Sequence, residues 1–250
     1  MLAASIIELV EESDWVIPMV VQEKKQEDEI TICVDLKKLN DACIHDPFLT
    51  PFTDEVLDNV GGQESYSFTD GFSGYHQIKI VLKYRSKANF ATEWGCFQCT
   101  VMPFGLKNGP TIFSCVVIAA FKEFIHKFLE VYFYNWKMFG LVKRHVASLH
   151  LMLDMCWRYR ITLNLKKCLF CIPFGILLGH VVCIQVLMVD LAKIMAIINL
   201  EAPKSAKQLC TTLGHTGYYR KFIKSYVEIT MLMEKLLKKN ATFCWNEEFQ

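Results

Sequence analysis

The order of apolar and polar positions along the 250 residues predicts short strands interspersed with medium-length helices. Residues 2–12 are expected to form a short helix. Trp15–Val21 and Ile30–Val34 read as strands on either side of the polar run KKQEDE, the pattern of a hairpin. Thr53–Asn59 predicts a helix prepared by Pro51 and capped by Thr53. Tyr66–Thr69 reads as a strand running into Asp70-Gly71, and Gln77–Val81 as another. Asn89–Val101 alternates as a second hairpin and leads into the turn-rich MPFGLKNGP. Pro110 opens a long helix, with Ile112, Cys115, Val116, Ala119, Phe121 and Phe124 as its apolar face. A strand at Glu130–Phe133 and helices at Val146–Tyr159, Lys204–Tyr226 and Ile229–Lys239 follow, the last two with basic residues outward. No internal repeat interrupts this order. Its irregular alternation argues α+β rather than a doubly wound sheet.

Composition narrows the class. Apolar residues make up 52% and charged residues 21%, which excludes a disordered chain and a collagenous repeat. The net charge of +1 conceals an uneven spread. Residues 1–60 carry 4 basic and 14 acidic side chains, residues 61–190 carry 14 and 7, and residues 191–250 carry 9 and 5. A basic body behind an acidic head suits a polyanion partner, or simply a solvated surface. The 11 cysteines form no disulfide framework, which points to a reducing, intracellular setting without distinguishing cytoplasm from nucleus. The pairs Cys96/Cys99 and Cys168/Cys171 lie too far apart for a zinc ribbon and read as buried thiols. The start, MLAASIIELVEESDW, lacks a basic leader segment. Residues 168–189 are long enough to span a bilayer, but Pro173, Gly175, Gly179, His180 and Gln185 break them up. Two short buried strands joined near Gly179 fit better, and no membrane association is expected.

Asp70 is the carboxylate of most chemical interest. It ends an apolar strand beside Gly71, where the backbone can approach a bound group, and its oxygens suit Mg²⁺. Taken alone, an Asp before a Gly is usually a turn. Six segments read together change that: ICVDLKKLN (32–40), SFTDGFSGYHQIKI (67–80), VMPFGLKNGPTIF (101–113), LNLKKCLF (163–170), LLGH (177–180) and YYRKFI (218–223). In order and spacing the chain resembles the reverse transcriptase of gypsy-class long-terminal-repeat retrotransposons, from about Ile7 to Gln250.

The resemblance implies a right-hand polymerase of fingers, palm and thumb that copies an RNA template from a DNA primer with two Mg²⁺ ions. By it, residues 1–189 are N-terminally truncated fingers plus palm. Residues 190–250 are thumb and the start of a tether towards a missing ribonuclease H region. Asp70 falls on the first metal-binding aspartate, and Tyr75 on the aromatic gate that excludes a ribose 2′-OH. Gly71, Phe104 and Gly105 lie against the incoming nucleotide, and Lys24 would hold its triphosphate. Lys166 or Lys167 matches a proton donor to pyrophosphate. Leu178, Gly179 and His180 match the hairpin that grips the primer. Tyr219, Arg220 and Lys221 fall in the thumb, where basic and aromatic residues follow a backbone.

Two departures bear on activity. The family's second metal motif, Tyr-x-Asp-Asp, is here Tyr132-Phe133-Tyr134-Asn135, so both of its aspartates are replaced. Thr31 stands where the family has an arginine able to fork onto phosphates. Two-metal phosphoryl transfer needs clustered carboxylates. Forfeiting about 5 kcal/mol of metal-supplied stabilisation slows the reaction by roughly 10³–10⁴. Glu130 is four residues from position 134, roughly 13 Å along a strand, and too distant to replace them. The expectation is a catalytically inactive domain; the alternative is a nucleic-acid-binding or assembly module derived from a retroelement.

Overall fold

The structure, a computed structural model, describes residues 1–11, 16–23, 30–49, 51–238 and 243–246. The chain forms two compact units, Met1–Pro173 and Phe174–Gln250. Helices and antiparallel sheets are mixed within both, as α+β requires.

The first unit runs β1 (Ile7–Val10), β2 (Met19–Glu23), β3 (Ile30–Val34), α1 (Lys37–Ala42), α2 (Thr53–Val60) and β4 (Ser65–Asp70). It continues through a 3-10 turn (Gly74–Gln77), α3 (Leu82–Arg85), β5 (Asn89–Thr92), β6 (Gly95–Cys99) and α4 (Gly109–Phe121). It closes with β7 (Leu129–Tyr132), β8 (Asn135–Gly140), α5 (Val142–Tyr159), a second 3-10 turn (Leu165–Lys167) and β9 (Leu169–Ile172). Three sheets result, in the orders β1-β6-β5, β2-β3 and β7-β8-β4-β9.

Both expected hairpins form: β5 pairs with β6 from Asn89↔Gln98 to Thr92↔Gly95, and β2 with β3 from Met19↔Val34 to Glu23↔Ile30, β2 lying later in the chain than the expected strand Trp15–Val21. Four local expectations are corrected. Residues 7–10 are not helical but pair with Cys96–Cys99, because a lone short helix is marginal and the edge of β6 offers ladder bonds. The α2 helix begins after Phe52 with no side-chain cap, so Thr53 is its first residue. The expected strand at Gln77–Val81 is reduced to a bridge between Lys79 and Val101, flanked by the 3-10 turn and α3. On α4 the buried positions are Gly109, Phe113, Ser114, Val117, Ala120 and Phe121, whereas Ile112, Cys115, Val116 and Ala119 face outward. That helix is apolar nearly all round, so periodicity could not choose its inner face.

The core of this unit lies on one face of β7-β8-β4-β9. Trp136, Met138, Leu129 and Val131 pack there with Phe113, Val117 and Phe121 of α4 and Met152 and Cys156 of α5. Each large side chain so enclosed stabilises the unit by roughly 1.5–3 kcal/mol.

The second unit holds β10 (Gly175–Leu177), β11 (His180–Cys183) and β12 (Val186–Val189) in one meander, then α6 (Leu191–Ile198), α7 (Ala206–Tyr218) and α8 (Tyr226–Glu234). The two strands expected in residues 168–189 are four, with β9 in the first unit and three in the second. The expected helix Lys204–Tyr226 is broken at Tyr219 by a 3-10 turn over Arg220–Phe222. Among the described residues, no helix is long and apolar enough to cross a membrane.

Candidate active site

Asp70 is the last residue of β4, a central strand, and Asn135 is the first of β8; the two are direct cross-strand partners. Residues opposite one another in an antiparallel pair share a face. The register therefore sets Asp70, Phe68 and Tyr66 on the same face as Asn135, Lys137 and Phe139. Tyr132 and Glu130 join them through their pairing with Asn135 and Lys137. This is the face opposite Trp136 and Met138.

The β7–β8 turn is Phe133-Tyr134, with Phe133 at φ 54°, a conformation costly for a bulky residue. Gly71 N–H donates to the Tyr134 carbonyl at 3.1 Å, tying the hairpin tip to the end of β4. Asn164 N–H donates to the Asp70 carbonyl at 2.8 Å, so the 162–164 loop backs the same strand end. Gln77 fastens that loop: its amide donates to the Phe72 and Thr162 carbonyls and accepts from Thr162 N–H. A Cβ at Gly71 would come within 3.3 Å of the Phe113 ring, a tight contact that requires the ring to shift slightly.

Tyr75 stands beside this corner. Its ring lies 5.1 Å from Phe104 and 6.1 Å from Phe113, and His76 lies 4.8 Å from Phe104. Burial, and after it the Tyr134 phenol, raises the Tyr75 pKa above its usual 10. Phe104 and Gly105 sit on a loop locked from α1: Asn40 donates to the Gly105 carbonyl at 2.8 Å and accepts from Lys107 N–H at 2.8 Å. Gly105 itself has φ 96°, which favours glycine. Sequence reasoning gave Asn40 and Gln77 no role, since neither bond is visible without the long-range fold.

Lys137 is a third residue that sequence reasoning passed over. Only 8% exposed, it sits in a strand otherwise reading as core. Its ammonium lies 3.5 Å from Asn135 Oδ1 and 4.8 Å from the centre of the Phe68 ring. Burial pushes its pKa down to about 8, while the charge of Asp70 and then Cys168 act in the opposite direction. It remains an ammonium at neutral pH. The sequence signal was a lone charge between Trp136 and Met138.

The donor set does not fit a divalent-metal pair. Among the described residues no group of three or more His, Cys, Asp or Glu could hold a metal ion. The Asn135 carbonyl faces Lys137, and Tyr134 adds a neutral phenol. Glu130 supplies nothing to the hairpin tip: Tyr134 belongs to the turn, and the Glu130 carboxyl accepts from Asn59 at 3.1 Å and bonds His126 Nδ1 at 2.7 Å. Lys166 and Lys167 lie exposed in their 3-10 turn. Lys24 lies outside the described residues, and of Thr31 only the backbone, paired with Gln22, is described.

In the second unit the segments LLGH and YYRKFI meet. Leu178 and Gly179 form a two-residue turn with φ 47° and 72°. Tyr219 donates to the Gly179 carbonyl at 2.8 Å, and Tyr218 donates to the Leu178 carbonyl. The His180 ring packs 5.2 Å from Tyr218, 5.1 Å from Tyr219 and 5.7 Å from Phe222. A Cβ at Gly179 would come within 3.0 Å of the Tyr219 hydroxyl. His180 and Tyr219 are buried and hold hairpin to helix, whereas Arg220 and Lys221 are exposed.

Comparison with known proteins bears directly on this arrangement. The family described as reverse transcriptase (RNA-dependent DNA polymerase) matches residues 23–216. The chain is 30% identical over 228 residues to the retrovirus-related Pol polyprotein from transposon 297 of Drosophila melanogaster, covering 91% of this chain and 21% of the relative. It is 28% identical over 208 residues to that of transposon gypsy from the same organism, covering 83% and 20%. The chain thus spans about a fifth of the length of these relatives. Its fold is similar to a foamy viral protease–reverse transcriptase solved with double-stranded DNA, at TM-score 0.85 and 19% identity, covering 99% of this chain and 44% of that one.

Proposed function

The chain belongs to the reverse transcriptase family, and from that premise we propose that it is a reverse-transcriptase domain without polymerase activity. The observation that carries the proposal is the pairing of Asp70 with Asn135 at the hairpin where two-metal transfer needs a second carboxylate. In this reading Asp70 is the one remaining metal-ligand position, and Gly71, Tyr75, Phe104 and Gly105 outline the nucleotide position. Lys24 and Lys167 are assigned to the triphosphate and pyrophosphate by resemblance. Residues 1–189 correspond to fingers and palm and residues 190–250 to thumb. The test is primer extension on an RNA template with Mg²⁺. No product above background is expected from the unmodified chain, and robust DNA synthesis by it would overturn the proposal.

The same scaffold is proposed to retain nucleic-acid binding. Exposed Lys207, Arg220, Lys221 and Lys224 of the second unit support this, as does the structural likeness to a polymerase solved with double-stranded DNA. Phosphate contacts release counterions, so affinity for a primer–template should fall steeply with salt. Absence of binding at low salt would remove this role.

A further inference from the structure

We propose that the Lys137 ammonium is the resident counter-cation of Asp70, filling electrostatically the place of a divalent ion, so that carboxylates at positions 134 and 135 alone do not restore metal binding. The inference rests on the reading of the domain as inactive and deepens it, since it assigns the loss to a third residue outside the substituted motif.

Three geometric facts carry it. First, Lys137 and Asp70 share a face of β7-β8-β4-β9, because Lys137 pairs with Phe68 and Asn135 with Asp70. Second, the Lys137 side chain runs along the strand towards the hairpin tip, for its ammonium reaches Asn135 Oδ1 at 3.5 Å and covers the Phe68 ring at 4.8 Å. Third, Glu130, its cross-strand neighbour on β7, bonds Asn59 and His126.

Placing a cation there has a chemical consequence. A buried ammonium needs a compensating charge and acceptors. Asp70 supplies the charge through space, Asn135 the acceptor and Phe68 the negative face of a ring. A dication held by Asp70 would then sit against a positive charge in a partly enclosed site, where Coulomb repulsion is little screened. The Asn135 carbonyl accepts from the ammonium and adds no negative charge of its own to the site. The position therefore works as a self-neutralised site rather than an empty metal cage.

The test measures Mn²⁺ binding alone, by electron paramagnetic resonance of free Mn²⁺ at pH 7, in the full chain. Four proteins are compared: unmodified; Tyr134→Asp with Asn135→Asp; that pair with Lys137→Leu; and that pair with Lys137→Arg. The pair alone should bind Mn²⁺ on the order of tenfold to a hundredfold more weakly than the pair with Lys137→Leu, as expected for removing one nearby positive charge. Lys137→Arg should keep binding weak, since it keeps the charge. Equal Mn²⁺ affinity with Lys or Leu at 137 would overturn the inference, as would tight binding with Arg. If Lys137→Leu does not fold, Lys137→Met carries the same comparison with an unbranched side chain. Primer extension by the unmodified chain would refute inactivity, whereas these affinities decide the role of Lys137 independently.

Discussion

Two faces of one sheet, β7-β8-β4-β9, carry side chains of opposite character. On one face Leu129, Val131, Trp136 and Met138 are at most 4% exposed and mesh with α4 and α5. On the other, strand partners bring together a carboxylate at Asp70, a carboxamide at Asn135, an ammonium at Lys137 and a carboxyl at Glu130. The first face needs only volume and apolarity, and the chain supplies both. The second needs charge of one sign clustered at one end, and here each negative group is answered or replaced. The comparison teaches that the polymerase scaffold and its metal chemistry are specified by different residues of the same strands. Trp136 and Lys137 are adjacent in sequence, yet one builds the core and the other reshapes the site.

The widest gap between the faces should appear in stability. Trp136→Ala is expected to cost about 3–5 kcal/mol, because it removes a fully buried ring packed 5.4 Å from Phe121. Chemical denaturation measures this from the midpoint at constant slope. A cost under about 1 kcal/mol would mean that this face is not the core of the unit.

On the polar face the expected effect is smaller. Glu130→Ala removes the buried acceptor of two hydrogen bonds whose donors, Asn59 and His126, stay open to water, and about 1 kcal/mol is expected. The same denaturation series checks it. A null effect would show the carboxyl to be uncommitted and return it to consideration as a ligand, which would undo the contrast between the two faces.

How much of this could be read beforehand follows from the physics of each element. Hairpins β2–β3 and β5–β6 and helix α5 were legible, because alternation, turn residues and helical periodicity are local signals. The edge strand Ile7–Val10 was not, since its conformation is set by pairing with β6 nearly 90 residues away. The inner face of α4 was hidden because apolar residues surround it. At the site, the order of the six segments pointed to Asp70 and to the replaced pair at 134 and 135. The register that sets Asn135 against Asp70, and with it Lys137 on the same face, came only from the sheet. Strand spacing also misplaced Tyr134, which the structure puts in the turn with Phe133 rather than in line with Glu130.

The smallest effect tests a buried polar group on the core side. His145 is 2% exposed, and its Nε2 shares a 2.8 Å hydrogen bond with Ser67 Oγ, which also accepts from Cys171 N–H at 3.0 Å. Nδ1 has no partner. Burial lowers the His145 pKa below its usual 6.5, so the folded chain resists a proton that the unfolded chain accepts. Stability is therefore full above about pH 6.5 and declines as pH falls, by at most about 1.4 kcal/mol per pH unit for one proton. His145→Gln keeps a polar group near Ser67 but cannot titrate. His76, lowered by burial as well, contributes with the same sign in both proteins and cancels in the comparison. Melting curves of the two should differ by a constant above pH 7 and converge or cross towards pH 5, as the unmodified chain alone loses the His145 contribution. Parallel curves over the whole range would show that His145 takes up its proton in the folded state, and that this side of the sheet is less dry than its packing implies.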